Sequence, residues 1–150
     1  MDQDSAENAG MQMVVVYQLK EDRTFIEAVQ RATRTTKKFG IEPTHGMFGS
    51  SEWWEKIGAG ELHVHTLKGE IRDVYMASMN DWPEFKMLSD VGEESRWTRS
   101  RNPSVGDSIY RTGNRIEIDY VLQRHRPESQ TNGAEFRQVL EIRIADSAHS

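Results

Sequence analysis

Seven arginines and no lysine supply the positive charge of residues 96–126. The same segment holds three acidic residues, so its net charge is +4. The seven are Arg96, Arg99, Arg101, Arg111, Arg115, Arg124 and Arg126. A guanidinium group offers a planar fork of donors that fits phosphate and carboxylate oxygens, and it stacks on aromatic rings. The pattern therefore predicts recognition of an anionic group.

Aromatic residues lie among these arginines, with Trp97 directly after Arg96 and Tyr110 directly before Arg111. Rings that stack on bases, together with guanidinium groups that contact phosphates, are what single-stranded nucleic acid or a nucleotide requires. We therefore predict a ligand-binding role for six residues of the segment. They are Arg99, Arg101, Arg111, Arg126, Trp97 and Tyr110.

The same arginines could instead be neutralised within the fold. Residues 61–95 carry eight acidic and three basic residues, a net charge of −5. The whole chain also has a formal net charge of −5 at pH 7, which argues against broad, non-specific binding to duplex DNA. Internal ion pairs and a local anion-binding site both stay open.

A His-x-His pair is the best candidate for metal chemistry. On a strand, His63 and His65 would point the same way and could reach one ion. His45, on the preceding loop, could supply a third ligand, and three ligands with an open position would define a hydrolytic zinc site. Alternatively, both imidazoles face solvent because Leu62 and Val64 take the core side of the strand.

Other catalytic signatures are missing from the sequence. The chain has no cysteine, which excludes disulfides, thiol catalysis and thiolate metal sites. It contains neither a G-x-S-x-G nucleophile elbow nor a glycine-rich phosphate loop followed by Lys-Ser/Thr. We therefore expect a binding module rather than an enzyme, and we predict no cofactor.

The elements that must position these side chains are mostly β-strands. Apolar patterning predicts strands at 11–19, 61–67, 84–88, 95–99, 108–111, 115–123 and 136–145. A phase change across Gly69 predicts a bulge or sharp bend in a long strand. In the last two strands, a register that sets Glu117 opposite Arg143 would also set Asp119 against Glu141, and we expect a nearby arginine to relieve that repulsion.

Two helices complete the prediction. Residues 24–39 form an amphipathic helix with a capping box of Thr24 and Glu27, and Gly40 is placed to end it. Its predicted buried face consists of Phe25, Val29, Ala32 and Thr36. A short helix follows Ser50 or Ser51 and contains the adjacent Trp53 and Trp54.

Short strands joined by turns predict an antiparallel sheet, and a long bent strand is a device for closing a small barrel. We therefore predict an α+β fold: a mainly antiparallel, closed or partly open, OB-like barrel with an N-terminal strand–helix element and a short tryptophan-containing helix. An open antiparallel sheet covered by one helix is the alternative.

The length of 150 residues predicts one domain, at 11–146, between disordered tails at 1–10 and 147–150. No apolar run approaches the roughly 20 residues that a membrane helix needs. The first ten residues lack the basic and apolar parts of a signal peptide. We therefore expect a soluble, cytoplasmic protein without membrane contact.

Our main interpretation is a non-catalytic module that recognises an anionic partner through its arginine-rich segment. That partner would be nucleic acid, a nucleotide or an acidic protein surface. One alternative is a small metal-dependent hydrolase that uses the histidines. Another is a protein-interaction or self-assembly domain that buries Trp53, Trp54 or Trp82 against a partner or a second copy.

Overall fold

The computed structural model describes residues 12–37, 39–127, 129 and 133–145, so the predicted tails at 1–10 and 147–150 lie outside the described residues. The helices are α1 (Arg23–Thr35) and α2 (Ser51–Gly58). The strands are β1 (Met13–Gln18), β2 (His65–Ala77), β3 (Trp82–Ser89), β4 (Glu94–Thr98), β5 (Arg115–Arg124) and β6 (Glu135–Ala145). The strand predicted at 108–111 is wrong, because Asp107–Ile109 form a 3-10 turn.

The six strands form one antiparallel sheet in the order β1-β6-β5-β2-β3-β4. The predicted α+β class and antiparallel sheet are confirmed, whereas the predicted barrel is wrong, because the sheet is not closed. Asn102, in the loop after β4, binds the outer edge of β1. Its N–H donates to the Val16 carbonyl at 2.8 Å, and its side-chain oxygen accepts from the Gln18 N–H at 2.9 Å. The Val16 carbonyl and the Gln18 N–H on the edge of β1 are therefore bonded to a loop and not to β4. The loop also protects this edge from pairing with other strands.

The chain forms two compact units. The first unit contains residues 12–18, 66–118 and 141–145, and the second contains residues 19–65 and 119–140. The domain bounds predicted from the sequence stay a prediction. None of the helices within the described residues is long and apolar enough to cross a membrane. The cytoplasmic location also stays a prediction.

The core of the first unit is built from alternate strand residues that face inward. Its buried side chains include Val16, Ile71, Phe85, Met87, Trp97, Tyr110, Ile116, Ile118, Ile142 and Ile144. The predicted irregularity in the long strand lies two residues later than Gly69, since the β2–β3 register shifts between Ile71 and Asp73. Gly69 has another role, because a Cβ there would lie 2.2 Å from the Leu88 carbonyl oxygen.

An ion pair connects the last two strands in the first unit. Arg143 Nε donates to Glu117 Oε1 at 3.0 Å, and its Nη1 donates to Glu141 Oε2 at 2.5 Å. The predicted proximity of Glu117 and Arg143 is confirmed, and an arginine does neutralise Glu141.

In the second unit, α1 begins earlier than predicted. Asp22 is its N-cap and accepts a hydrogen bond from the Phe25 N–H at 3.3 Å, so the capping box at Thr24 and Glu27 is wrong. The helix ends at Thr35, before the predicted residue 39.

The buried face of α1 also differs from the predicted one. Ile26 and Thr33 are buried, whereas Phe25 is exposed. Ile26 packs against Gly49, whose missing side chain leaves room for it: a Cβ on Gly49 would lie 2.6 Å from Ile26. The buried face of α1 is therefore determined by its contact with the loop that contains Gly49.

The short helix α2 forms as predicted, with Ser50 as its N-cap. Trp53 is fully buried, and its indole Nε1 donates to the buried Gln123 Oε1 at 3.1 Å. Trp54 is half-buried, and the ammonium group of Lys20 lies 4.8 Å from the centre of its ring. Trp53 is therefore a core residue of the second unit rather than a partner contact.

Candidate functional site

Arg99, one of the predicted ligand-binding arginines, bonds to several groups of the first unit. Its Nη1 lies 2.6 Å from Asp107 Oδ2. Its Nε donates to the Glu84 carbonyl and its Nη2 to the Tyr75 carbonyl, each at 3.1 Å. The guanidinium group thus connects β2, β3 and the Asp107 turn, and its donors are directed at protein acceptors.

Other arginines of the segment also have partners within their own units. Arg101 donates to the Val105 carbonyl at 2.8 Å. Arg126, in the second unit, donates to the carbonyls of Thr33 and Thr36 and so caps the C-terminal end of α1. These contacts stabilise loops and helix ends.

Arg115 forms a two-pronged ion pair with Asp90, with both distances 2.8 Å. The hydrogen bond from Arg115 holds the pKa of the Asp90 carboxyl below its ordinary value, and the same bond raises the pKa of Arg115. Arg96 and Arg111 are exposed on the first unit, and each of them interacts with another group of the protein.

The two aromatic residues predicted to stack on a ligand are buried. Trp97 donates through Nε1 to Ser95 Oγ at 2.8 Å. Tyr110 packs against Phe85 with ring centroids 5.1 Å apart, and its hydroxyl donates to the Ser100 carbonyl. Burial raises the pKa of Tyr110 far above its ordinary value. Both rings stabilise the core, and the ligand-binding role of the six residues stays a prediction.

The predicted histidine ligands are not gathered into a metal site. Within residues 12–37, 39–127, 129 and 133–145, no group of three His, Asp or Glu side chains could hold an ion. The rings of His63 and His65 lie 4.6 Å apart, and His65 stacks on Tyr120 at 5.1 Å. His45 Nδ1 lies 3.0 Å from the hydroxyl of its neighbour Thr44. The described residues therefore give the predicted site no support, and the metal-binding role of the three histidines stays a prediction.

The turn between β2 and β3 has an unusual backbone. Ser78, Met79 and Asn80 have φ of 51°, 59° and 71°, which places three successive residues with side chains in the left-handed region. That region costs an L-residue roughly 1–2 kcal/mol. The N–H of Asp81 closes the turn by donating to the Ala77 and Ser78 carbonyls at 3.1 and 3.2 Å. Backbone strain of this kind is concentrated at functional sites.

The residues around this turn expose apolar side chains, and we name residues 76–82 the hairpin tip. Met79 is 96% exposed, Trp82 52% and Met76 42%. Ala77 pairs with Trp82 and Met76 pairs with Pro83. Because neighbouring strand positions point to opposite faces, Met76 and Trp82 lie on opposite faces of the hairpin, with Met79 at its apex. The tip is therefore apolar on both faces.

The hairpin tip is held in place from the adjoining strand. Trp82 Nε1 donates to Thr98 Oγ1 at 2.9 Å. Arg99 contacts the Met76 sulfur at 3.2 Å, and its backbone N–H donates to the Pro83 carbonyl at 3.0 Å. Tyr75, just before the tip, donates its hydroxyl to Glu84 Oε1 at 3.0 Å, and burial followed by this hydrogen bond raises its pKa.

Only Trp82 of this site was singled out from the sequence, among the tryptophans that could contact a partner. No functional role was predicted for the rest of the segment ASMNDWP. The sequence feature that could have revealed the hairpin tip is a tight turn without glycine. This turn carries Met76, Met79 and Trp82 at spacings of three.

An exposed tryptophan and two exposed methionines on a braced hairpin are typical of a protein–protein contact surface. The hairpin tip is therefore a candidate protein-binding surface. A family model described as Immunity protein RhsI2 matches residues 11–145. Since this match spans most of the chain, the protein belongs to the RhsI2 family of immunity proteins, which bind and neutralise a cognate Rhs toxin. None of the curated proteins compared with the chain matches it.

Family membership changes the main interpretation from sequence. The protein binds a protein and is not a nucleic-acid binder, so the alternative of a protein-interaction domain is the better supported one. In the structure, Arg99 donates hydrogen bonds to groups of its own unit, and Trp97 and Tyr110 lie in the core.

Proposed function

We propose that this immunity protein neutralises its cognate Rhs toxin by occupying it in a stoichiometric complex, with no catalytic step of its own. The observation that carries the proposal is the family match over residues 11–145. The exposed apolar hairpin tip supports it, because the first unit offers a braced surface of the composition that protein partners bury.

Neutralisation by occupancy sets requirements on the complex. A specific, stable interface buries about 1,200–2,000 Å² in total, and a dissociation constant near 1 nM corresponds to about −12 kcal/mol. A few well-placed side chains supply most of such energy. A domain of this size can present that area without opening its core.

The proposal is tested by titrating the purified cognate Rhs toxin with the purified chain and measuring the remaining toxin activity. We expect activity to fall linearly and to reach zero near one chain per toxin. Light scattering should then show a complex of the summed mass.

Two outcomes would contradict this proposal. Complete loss of toxin activity at a small fraction of one chain per toxin would mean that the chain destroys or modifies the toxin catalytically. Full toxin activity in the presence of excess chain, with no complex detected, would mean that the chain does not neutralise by binding.

A further inference from the structure

We infer that the hairpin tip is the toxin-docking surface and that its occupant is an apolar pocket with a cationic rim on the cognate Rhs toxin. The inference rests on the proposed function. It names the surface and the partner chemistry, which family membership does not give.

The exposed side chains of the hairpin tip are the first argument. Met79, at 96% exposure, contributes almost nothing to the core of its own unit, so its apolar side chain is available for burial elsewhere. Tryptophan is the residue most enriched among interface hot spots, and methionine adapts to irregular apolar pockets. Trp82 and Met76 extend the apolar area along both faces of the hairpin.

The backbone of the tip is the second argument. Within the described residues, the other positive φ values belong to glycines, for example Gly92 in the β3–β4 turn at 89°. Glycine adopts that conformation without the steric cost that a side chain meets. The β2–β3 turn nevertheless carries side chains at all three strained positions. Side chains at these positions cost local stability, and strained backbone of this kind concentrates at functional sites.

The bracing of the tip is the third argument. Arg99 bonds to the Tyr75 and Glu84 carbonyls, one on each strand of the hairpin, and Trp82 is oriented by Thr98. A surface that is ordered before binding loses less conformational entropy on association. The hairpin tip can therefore enter a pocket without rearranging.

Charge identifies the rim of the pocket. Asp81 is exposed and is the charged residue of the hairpin tip, which contains no lysine or arginine. Lysine or arginine side chains around the toxin pocket would complement this surface and speed association. A second copy of this acidic chain would present the same charge sign at that rim and is a poorer match.

The experiment compares four single variants with the wild-type chain by titration calorimetry against the purified cognate toxin. Met79→Glu and Trp82→Ala change the tip. Val91→Glu is the matched control, because Val91 is 81% exposed in the turn at the other end of β3. Arg111→Gln probes the arginine-rich segment. Thermal unfolding of each free variant checks that it is folded.

We expect Met79→Glu and Trp82→Ala to raise Kd about 30-fold or more, the range of interface hot spots. Val91→Glu and Arg111→Gln should leave Kd within about 3-fold, as contacts outside the hot spot do. Met79→Glu cannot disturb the core, so it remains informative if Trp82→Ala fails to fold.

Other results would overturn the inference in distinguishable ways. Wild-type affinity in Met79→Glu would remove the docking role from the tip while the proposed function stands. Loss of affinity in Arg111→Gln alone would assign docking to the arginine-rich segment. A wild-type dimer that Met79→Glu dissociates would make a second copy the occupant. Absence of binding by the wild-type chain would instead contradict the proposed function itself.

Discussion

At the scale of single residues, Arg99 shows how a chemically suggestive side chain can be a structural one. Its guanidinium group lies within hydrogen-bond distance of Asp107 and of two strand carbonyls. We expect Arg99→Ala to lower the free energy of unfolding by about 2–3 kcal/mol, since hydrogen bonds to charged groups contribute about that much. Urea denaturation measures it.

Arg101→Ala is the matched control for that substitution. Arg101 is exposed, and in the part of the chain that the structure describes it donates to the Val105 carbonyl, so its loss should change stability by no more than about 0.5 kcal/mol. Equal effects of the two substitutions would mean that Arg99 does not connect the strands as described.

Ser78 tests the strain in the hairpin tip separately from its side-chain chemistry. At φ 51° a glycine would relieve the left-handed strain, so we expect Ser78→Gly to raise the midpoint of urea unfolding by an amount equivalent to about 1 kcal/mol. Part of the relief is offset by the greater freedom of glycine in the unfolded chain. A lower midpoint would show that the turn is relaxed with its natural residue.

At the scale of elements, the close pairing of β2 with β3 depends on Gly69. A Cβ at this position would lie 2.2 Å from the Leu88 carbonyl oxygen, which belongs to the backbone and cannot turn aside. We expect Gly69→Ala to destabilise the protein by about 1–3 kcal/mol, the usual cost of overpacking. Calorimetric unfolding would measure the loss.

Gly106→Ala is the control for that change. A Cβ on Gly106 has its nearest neighbour at 3.8 Å, and the residue has φ −75°, so alanine fits there. If Gly69→Ala proved as harmless as Gly106→Ala, the strand spacing at Gly69 would be looser than described.

The pair of Asp90 and Arg115 joins the β3–β4 turn to the start of β5 and predicts a pH dependence. The pKa of Asp90 in the folded state lies below its ordinary value of 3.8. Its contribution to stability is therefore present above pH 3.8 and is lost as pH falls through the lowered pKa. We expect the Asp90→Asn variant to have a lower Tm than the wild-type chain at pH 7. The difference in Tm between the two should become smaller near pH 2. A constant Tm difference across this range would contradict the assignment.

Much of the element order could be predicted from sequence, because alternation and turn residues act locally. The strands at 115–123 and 136–145 and the cap at Ser50 illustrate this. The start of α1 could not, since Asp22 and Thr24 are both good caps and the choice depends on tertiary packing. The open sheet could not be foreseen either, because the two hydrogen bonds of the loop residue Asn102 to the β1 edge leave no periodic signal in the sequence.

At the scale of the whole molecule, the candidate site was the hardest feature to foresee. Composition indicated a binding module, but charge density pointed to the arginines, whose partners are set by contacts distant in sequence. The hairpin tip became visible only when backbone angles and exposure could be combined, because Met76 and Met79 are ordinary core residue types in a sequence. Membership of the RhsI2 immunity family indicates the partner of the protein, a cognate Rhs toxin.

Hydrogen exchange of the chain, free and saturated with the cognate Rhs toxin, measures most directly whether this surface meets the toxin. The account predicts slowed exchange in peptides that cover residues 76–82, and unchanged exchange in the β3–β4 turn around Val91. Protection confined to other segments, with residues 76–82 exchanging as fast as in the free protein, would contradict it.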